Sequence, residues 1–446
     1  MQTRTENSWL YVFISPVMWA SFSILIFLFS FFFPPFTYQK YIDDPYFGFM
    51  NWSSLFFTVT CLLSLLVGWY MFQWLSPPVR HEIRKEWNSD SPVTLIDMAV
   101  GVLLLIANLR FLLFTFESGV IYEFPNVGQT PEESAIFYEE LLEAVDANGL
   151  GSLMQLSAII IPWFFWLRVQ AIERGSSTGR LVASLLFWAI VITYIIPLFV
   201  LGRRNVILRP MFGVFLVWYM GQIKYGKASL VKFVTILGTM AMAAVSLFIF
   251  VELVREGLLS GGGQLDDMIT RLLGYFVAPY NLQAAMMDGA LDWPGSGKGY
   301  YWNAWFWNFP ILKNFFVAQD FLGTLPPYGV EDRCNALEND GFVRHFTALP
   351  IFANSYVDFG WFGMLPFIPY GFIGALTWKR FREGTLDGVL FYTMFAYSVL
   401  EWRANIFFPA PFMGLAIVFL GILAIGRWLF QSARYRQGGI EEARHV

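Results

Sequence analysis

The sequence predicts an all-α polytopic membrane protein with about ten transmembrane helices. Composition is the first reason: of 446 residues 57% are apolar and only 14% charged, whereas a soluble domain carries about a quarter charged residues. Mean hydropathy is +0.53. The second reason is ten apolar stretches, each near the ~20 residues needed to cross a bilayer. The third is that the segments between them alternate between basic and acidic, as the positive-inside rule requires of a multi-pass protein.

The apolar stretches fall at 9–33, 55–75, 93–115, 152–170, 181–201, 205–222, 230–252, 361–378, 386–407 and 410–430. The first lacks a small-residue cleavage site and is too long for a signal peptide, so it reads as a retained span. The basic connections are RHEIRKEW (80–87), ERGSSTGR (173–180), KYGKASLVK (224–232), KRFRE (379–383) and the tail RYRQGG (434–439). Assigned to the cytoplasm, this side holds 17 of the 29 Lys and Arg but only 10 of the 33 Asp and Glu. Both termini are then cytoplasmic. The chain divides into spans one to seven (1–252), a large outer segment (253–360), and spans eight to ten with the tail (361–446). Cys61 and Cys334, one in an apolar run and one in a polar run, do not read as a structural bridge.

The outer face is rich in arginine. Nine of its twelve cations are Arg, and Arg110, Arg203, Arg204, Arg209, Arg271, Arg344 and Arg403 sit in or against apolar runs. In LFVLGRRNVILRP (198–210) three of them occur with no neighbouring carboxylate in sequence. A guanidinium at a membrane boundary is costly unless an anion meets it. Its planar fork suits phosphate, and it stays charged when desolvated. Snorkelling to lipid headgroups is the plainer account of any single one.

The long outer segment opens with a flexible SGGGQ joint (260–264). In DDMITRLLGYFVAPYN (266–281) the i, i+4, i+8 spacing brings Asp267, Arg271 and Tyr275 to one helical face, and Pro279 is expected to end that helix. WPGSGKGYYWNAWFWNFP (293–310) offers aromatic and amide groups for holding sugar rings, or equally an interfacial aromatic belt. RHFTALPIFANSYVDFGWFG (344–363) then re-enters the apolar region with His345, Thr347, Asn354, Ser355, Tyr356 and Asp358, polar groups at a depth where they line a cavity or touch substrate. His345, the one imidazole expected on this face, is a candidate general base or a hydrogen-bonded structural residue. Asp358 is a candidate base or a helix cap. Glu401, near the outer end of the ninth span, either neutralises an arginine or acts as a base.

Other chemistries find no support. The sequence holds no GxxxxGK[ST], HExxH or CxxC pattern, and no internal repetition of the kind alternating-access transporters show. No cofactor, metal or nucleic-acid partner is expected.

Gly-Arg-Arg at an outer span end, Arg-x-x-x-Tyr-x-x-x-Pro (Arg271, Tyr275, Pro279), a large outer loop, and Tyr-x-Asp-Phe-Gly-x-x-Gly (Tyr356, Asp358, Phe359, Gly360, Gly363) occur in that order. Over about residues 180–380 this resembles the Wzy-type O-antigen and oligosaccharide repeat-unit polymerases. The resemblance implies a GT-C-type architecture in the bacterial inner membrane with a periplasmic active site. It implies undecaprenyl-diphosphate-linked oligosaccharide as donor and acceptor, and leaves room for a chain-length regulator as partner. By resemblance the diphosphate role passes to Arg203, Arg204 and Arg271, with Arg209 and Arg403 as additions and Tyr275 orienting a phosphate or sugar hydroxyl. The base is expected among His345, Glu401 and Asp358, without a metal. The competing expectations are an O-antigen ligase, a metal-dependent lipid-linked-sugar transferase using Asp43 and Asp44, and a lipid-linked oligosaccharide flippase.

Overall fold

A computed structural model describes residues 8–34, 50–76, 93–117, 150–200, 204–255, 265–293, 299, 301–302, 330–342, 349–402, 420–421 and 425. Within them every regular element is helical. A 3-10 turn, Ser8–Ile14, leads into α1 (Pro16–Phe31). There follow α2 (Trp52–Leu75), α3 (Leu95–Glu117), α4 (Leu150–Glu173), α5 (Ser177–Val200), α6 (Arg204–Lys224) and α7 (Leu230–Arg255). The remainder are α8 (Leu265–Met287), α9 (Val330–Asn339), α10 (Ile351–Phe359), α11 (Phe367–Glu383) and α12 (Leu386–Leu400).

Helices satisfy their own backbone, which lipid cannot do for them. Five among the described residues are long and apolar enough to cross a membrane, within α2, α3, α4, α5 and α7. A sixth candidate is the pair Ile351–Met364 and Phe367–Glu383, bent by 95°. The chain is thus a multi-pass membrane protein. α1 and α12 are apolar but shorter, at 16 and 15 residues. The tenth predicted stretch lies almost wholly outside the described residues.

Burial separates centre from flank. In α4, 67% of the apolar window is buried, in α7 only 6%; α4 is a bundle centre, and α7 offers its sides to lipid. Polar groups knit the centre. Asn108 of α3 accepts from Ser157 of α4 at 3.1 Å and donates to Thr193 of α5 at 3.4 Å. Asp97 accepts the backbone N–H and hydroxyl of Thr94 at 2.9 and 2.7 Å and the indole N–H of Trp163 at 3.2 Å. Thr94 caps the start of α3, its hydroxyl accepting the Asp97 N–H at 3.3 Å, and the Asp97 carboxylate reaches back to complete a capping box. α2 and α11 cross at backbone contact through Gly68 and Gly371. A Cβ on Gly68 would stand 1.8 Å from the Ile368 carbonyl oxygen, and one on Gly371 2.0 Å from that of Leu65. Small residues permit such approaches in lipid.

The bundle has two unlike ends. At one, Lys227 pairs with Glu173 at 2.7 Å, and Lys224 donates to the Glu383 carbonyl at 3.3 Å. The Trp166 indole donates to the Gly384 carbonyl at 3.1 Å. The N-terminal turn joins them: Tyr11 meets Trp378 edge-on at 6.2 Å, and Arg382 lies over the Tyr11 ring at 4.9 Å. Three of the stretches assigned to the cytoplasm, and the start of the described chain, therefore share one end.

Candidate functional site

α6 runs from Arg204, at the end opposite those basic turns, back to Lys224. Arg209 is half-buried, with its guanidinium 5.5 Å from the centre of the Tyr397 ring, a cation–π contact that partly offsets loss of water. Tyr397 also meets Phe212 at 5.9 Å, and Phe212 meets Trp19 at 4.7 Å. One turn beyond Tyr397, α12 stops at Leu400, and Glu401 is its C-cap residue. The ninth span was expected to run on to 407; the helix instead ends so that Glu401 and Trp402, both buried, sit at a helix terminus. Arg110 pairs with Glu117 of its own helix at 3.3 Å, with both side chains over half exposed.

α8 lies across the neighbouring ends of α1 and α2. Ser30 donates to the Phe276 carbonyl at 3.1 Å, and Phe27 meets Tyr280 at 5.1 Å. Gln283 donates to Thr58 at 3.0 Å, and Asn51 to Asp288 at 2.6 Å. The expectation that Pro279 ends this helix is corrected: α8 continues to Met287. A proline in a helix interior costs about 3 kcal/mol, and burial of every residue from Val277 to Met286 offsets it. The buried amide of Gln283 lies in the part of α8 beyond Pro279, past the point where sequence reasoning ends the helix. Where α8 passes α1, Phe22, Leu25, Ile26, Phe29, Leu273 and Phe276 line an apolar notch of about 360 Å³.

α10 carries the polar re-entrant set. Gly360, at φ 57°, caps its end, a 3-10 turn Gly360–Met364 follows, and α11 departs at 95°. The eighth span was expected to start straight from 361; it begins as the far arm of this elbow. Asn354, Ser355 and Asp358 are all buried. Ser355 donates to the Gly363 carbonyl across the elbow. Asp358 accepts the backbone N–H groups of Tyr301 at 3.2 Å and Trp302 at 2.8 Å. The N-cap residues of the 3-10 turn and of α11, Phe359 and Pro366, make no side-chain cap, and these two bonds of Asp358 run to a distant segment. Asn354 is 3% exposed and its Nδ2 has no partner among the described residues.

The structure thus brings Arg209, Tyr275, Asp358 and Glu401 to the half of the molecule away from the basic turns. Arg204 and Arg271 are helical there, at the first residue of α6 and in the second turn of α8. His345, Arg203, Arg403, Asp43 and Asp44 lie outside the described residues. Among the described residues no group of three or more His, Cys, Asp or Glu is placed to hold a metal ion. Comparison with protein-family profiles, with characterised proteins and with solved structures finds no match, so the site rests on its own geometry.

Proposed function

We propose that this protein joins lipid-diphosphate-linked oligosaccharide repeat units into a surface polysaccharide at the periplasmic face of a bacterial inner membrane. The observation that supports this reading is the separation of cations. Basic turns share one end of the bundle, while α6 starts with Arg204 at the other, with Arg209 anchored on Tyr397 behind it. Arginines gathered where no inner-leaflet lipid neutralises them suit a ligand that brings its own phosphates.

In the proposed reaction an acceptor sugar hydroxyl attacks the donor's anomeric carbon. The bond from that carbon to the lipid diphosphate breaks, and the diphosphate leaves with the electron pair. Arg203, Arg204 and Arg271 meet the charge that develops on it, with Arg209 and Arg403 in support; preorganised cations are worth most where charge appears in the transition state. Tyr275 orients a phosphate or a sugar hydroxyl. The hydroxyl proton passes to a base, His345 or Glu401.

The test uses purified protein in detergent with a lipid-linked repeat unit, following chain growth on gels. Growth is expected without added metal and in the presence of chelator, and Arg204→Lys or Arg271→Lys should largely abolish it because a point charge does not reproduce the guanidinium fork. Normal chain length in both variants would sink the diphosphate role, and no growth from the wild type would favour a flippase.

A further inference from the structure

Asp358 is almost fully buried, at 2% exposed, in a helix of otherwise mostly apolar residues. A buried carboxylate is costly unless it is fully hydrogen-bonded. Here both of its oxygens are used, one on the N–H of Tyr301 and the other on the N–H of Trp302, residues 57 and 56 positions away. Consecutive backbone N–H groups converging on one carboxylate make a small anion-binding nest, with the anion supplied by the protein itself.

The same two residues are held by their rings. Trp302 meets Phe367, the first residue of α11, edge-on at 5.4 Å. Phe367 stacks on Phe352 of α10 at 5.6 Å and 18°, and Phe352 meets Trp402 at 5.5 Å. Tyr301 packs against the smaller core formed by Leu282, Trp293, Leu337 and Val357. Backbone and side chains therefore seat Tyr301 and Trp302 in the elbow between α10 and α11. Both residues are only half-buried, so part of the surface of each remains accessible.

The geometry points to Asp358 as a positioning residue: it anchors Tyr301 and Trp302 in the elbow, so that their accessible surface meets the saccharide of the substrate from a fixed mount. This rests on the saccharide-transfer reading, and it gives Asp358 a task other than proton transfer. An asparagine there keeps one acceptor oxygen and turns a donor toward the second N–H, while an alanine keeps neither.

Two measurements decide it, on the full-length protein. Hydrogen–deuterium exchange needs no substrate. In Asp358→Ala the amides of Tyr301 and Trp302 should exchange at least about tenfold faster, the consequence of losing a charge-assisted bond. α11 should keep its wild-type rates, and Asp358→Asn should fall between. Unchanged exchange at 301 and 302 in the alanine variant overturns the anchor. The kinetic arm uses chain growth: Asp358→Asn should raise KM for the acceptor severalfold and leave the pH–rate profile in place. A loss of about 10²-fold or more in kcat, with KM kept and the basic limb of the profile gone, is the signature of a lost general base and overturns the positioning role. If the wild type shows no chain growth, the saccharide-transfer reading fails, and with it the purpose assigned to the mount. The exchange arm still decides the anchor itself.

Discussion

Three of the described cations are handled in three different ways. Arg110 takes a carboxylate from its own helix, Arg209 takes an aromatic face, and Lys224 takes a carbonyl and an aromatic face together. Lys224 stands two residues past the sixth apolar stretch, with its ammonium 5.3 Å from the centre of the Trp166 ring and bonded to the last turn of α11. Much of its side chain is exposed, yet burial of the ammonium, and then the nearby Arg174 charge, hold its pKa below the ordinary lysine value. The folded protein then binds fewer protons than the unfolded chain between the lowered value and the ordinary one. Stability contributed at this position must rise with pH across that window. A neutral amine still donates to the Glu383 carbonyl, so the contact outlasts the charge. Thermal unfolding in detergent should therefore show a midpoint that climbs with pH on the alkaline side in the wild type, relative to Lys224→Met. Parallel pH curves for the two proteins would mean that the ammonium is not desolvated.

At the scale of elements, the crossing of α2 and α11 is set by the absence of two side chains. Gly68 and Gly371 let backbone touch backbone, and the contact fixes where the far arm of the elbow leaves the bundle. Gly68→Ala would drive its Cβ into the Ile368 carbonyl at 1.8 Å, a backbone atom that no rotamer change can move. Such overpacking costs ~1–3 kcal/mol, so the variant should melt several degrees lower while keeping its helix content. A wild-type melting point would show that the helices are not in this contact. The sequence made the helices themselves legible, because lipid demands long apolar runs and the runs were there to be read. It did not disclose the elbow, α8 continuing past Pro279, or the seat of Tyr301 and Trp302. Each depends on partners far along the chain: burial of the turn after Pro279, and a carboxylate 57 positions from the N–H it holds. The polar positions of α10 were visible as unusual, but Ser355 and Asp358 could be told from Asn354 only once their partners were known.

For the molecule as a whole, the decisive property is which side of the membrane each end faces. The contacts tie 173–180, 224–232 and 379–387 to one another and to the N-terminal turn, independently of any rule about charge. Turns rich in Lys and Arg favour the cytoplasm, so α8, α9 and the start of α6 should face the other way. Single cysteines test this directly once the buried Cys61 and Cys334 are replaced by alanine. Thr178→Cys and Lys227→Cys, both exposed, should react with an impermeant maleimide in inside-out vesicles and stay unlabelled in right-side-out ones. Asp288→Cys and Asn339→Cys, also exposed, should show the reverse. Labelling of 178 and 227 from opposite sides would break the fold's grouping of the turns. Labelling of 288 together with 227 would leave that grouping intact but bring α8 to the cytoplasmic face, where a polymer destined for the cell surface could not be assembled. The four positions thus separate an error in the helix arrangement from an error in the proposed function.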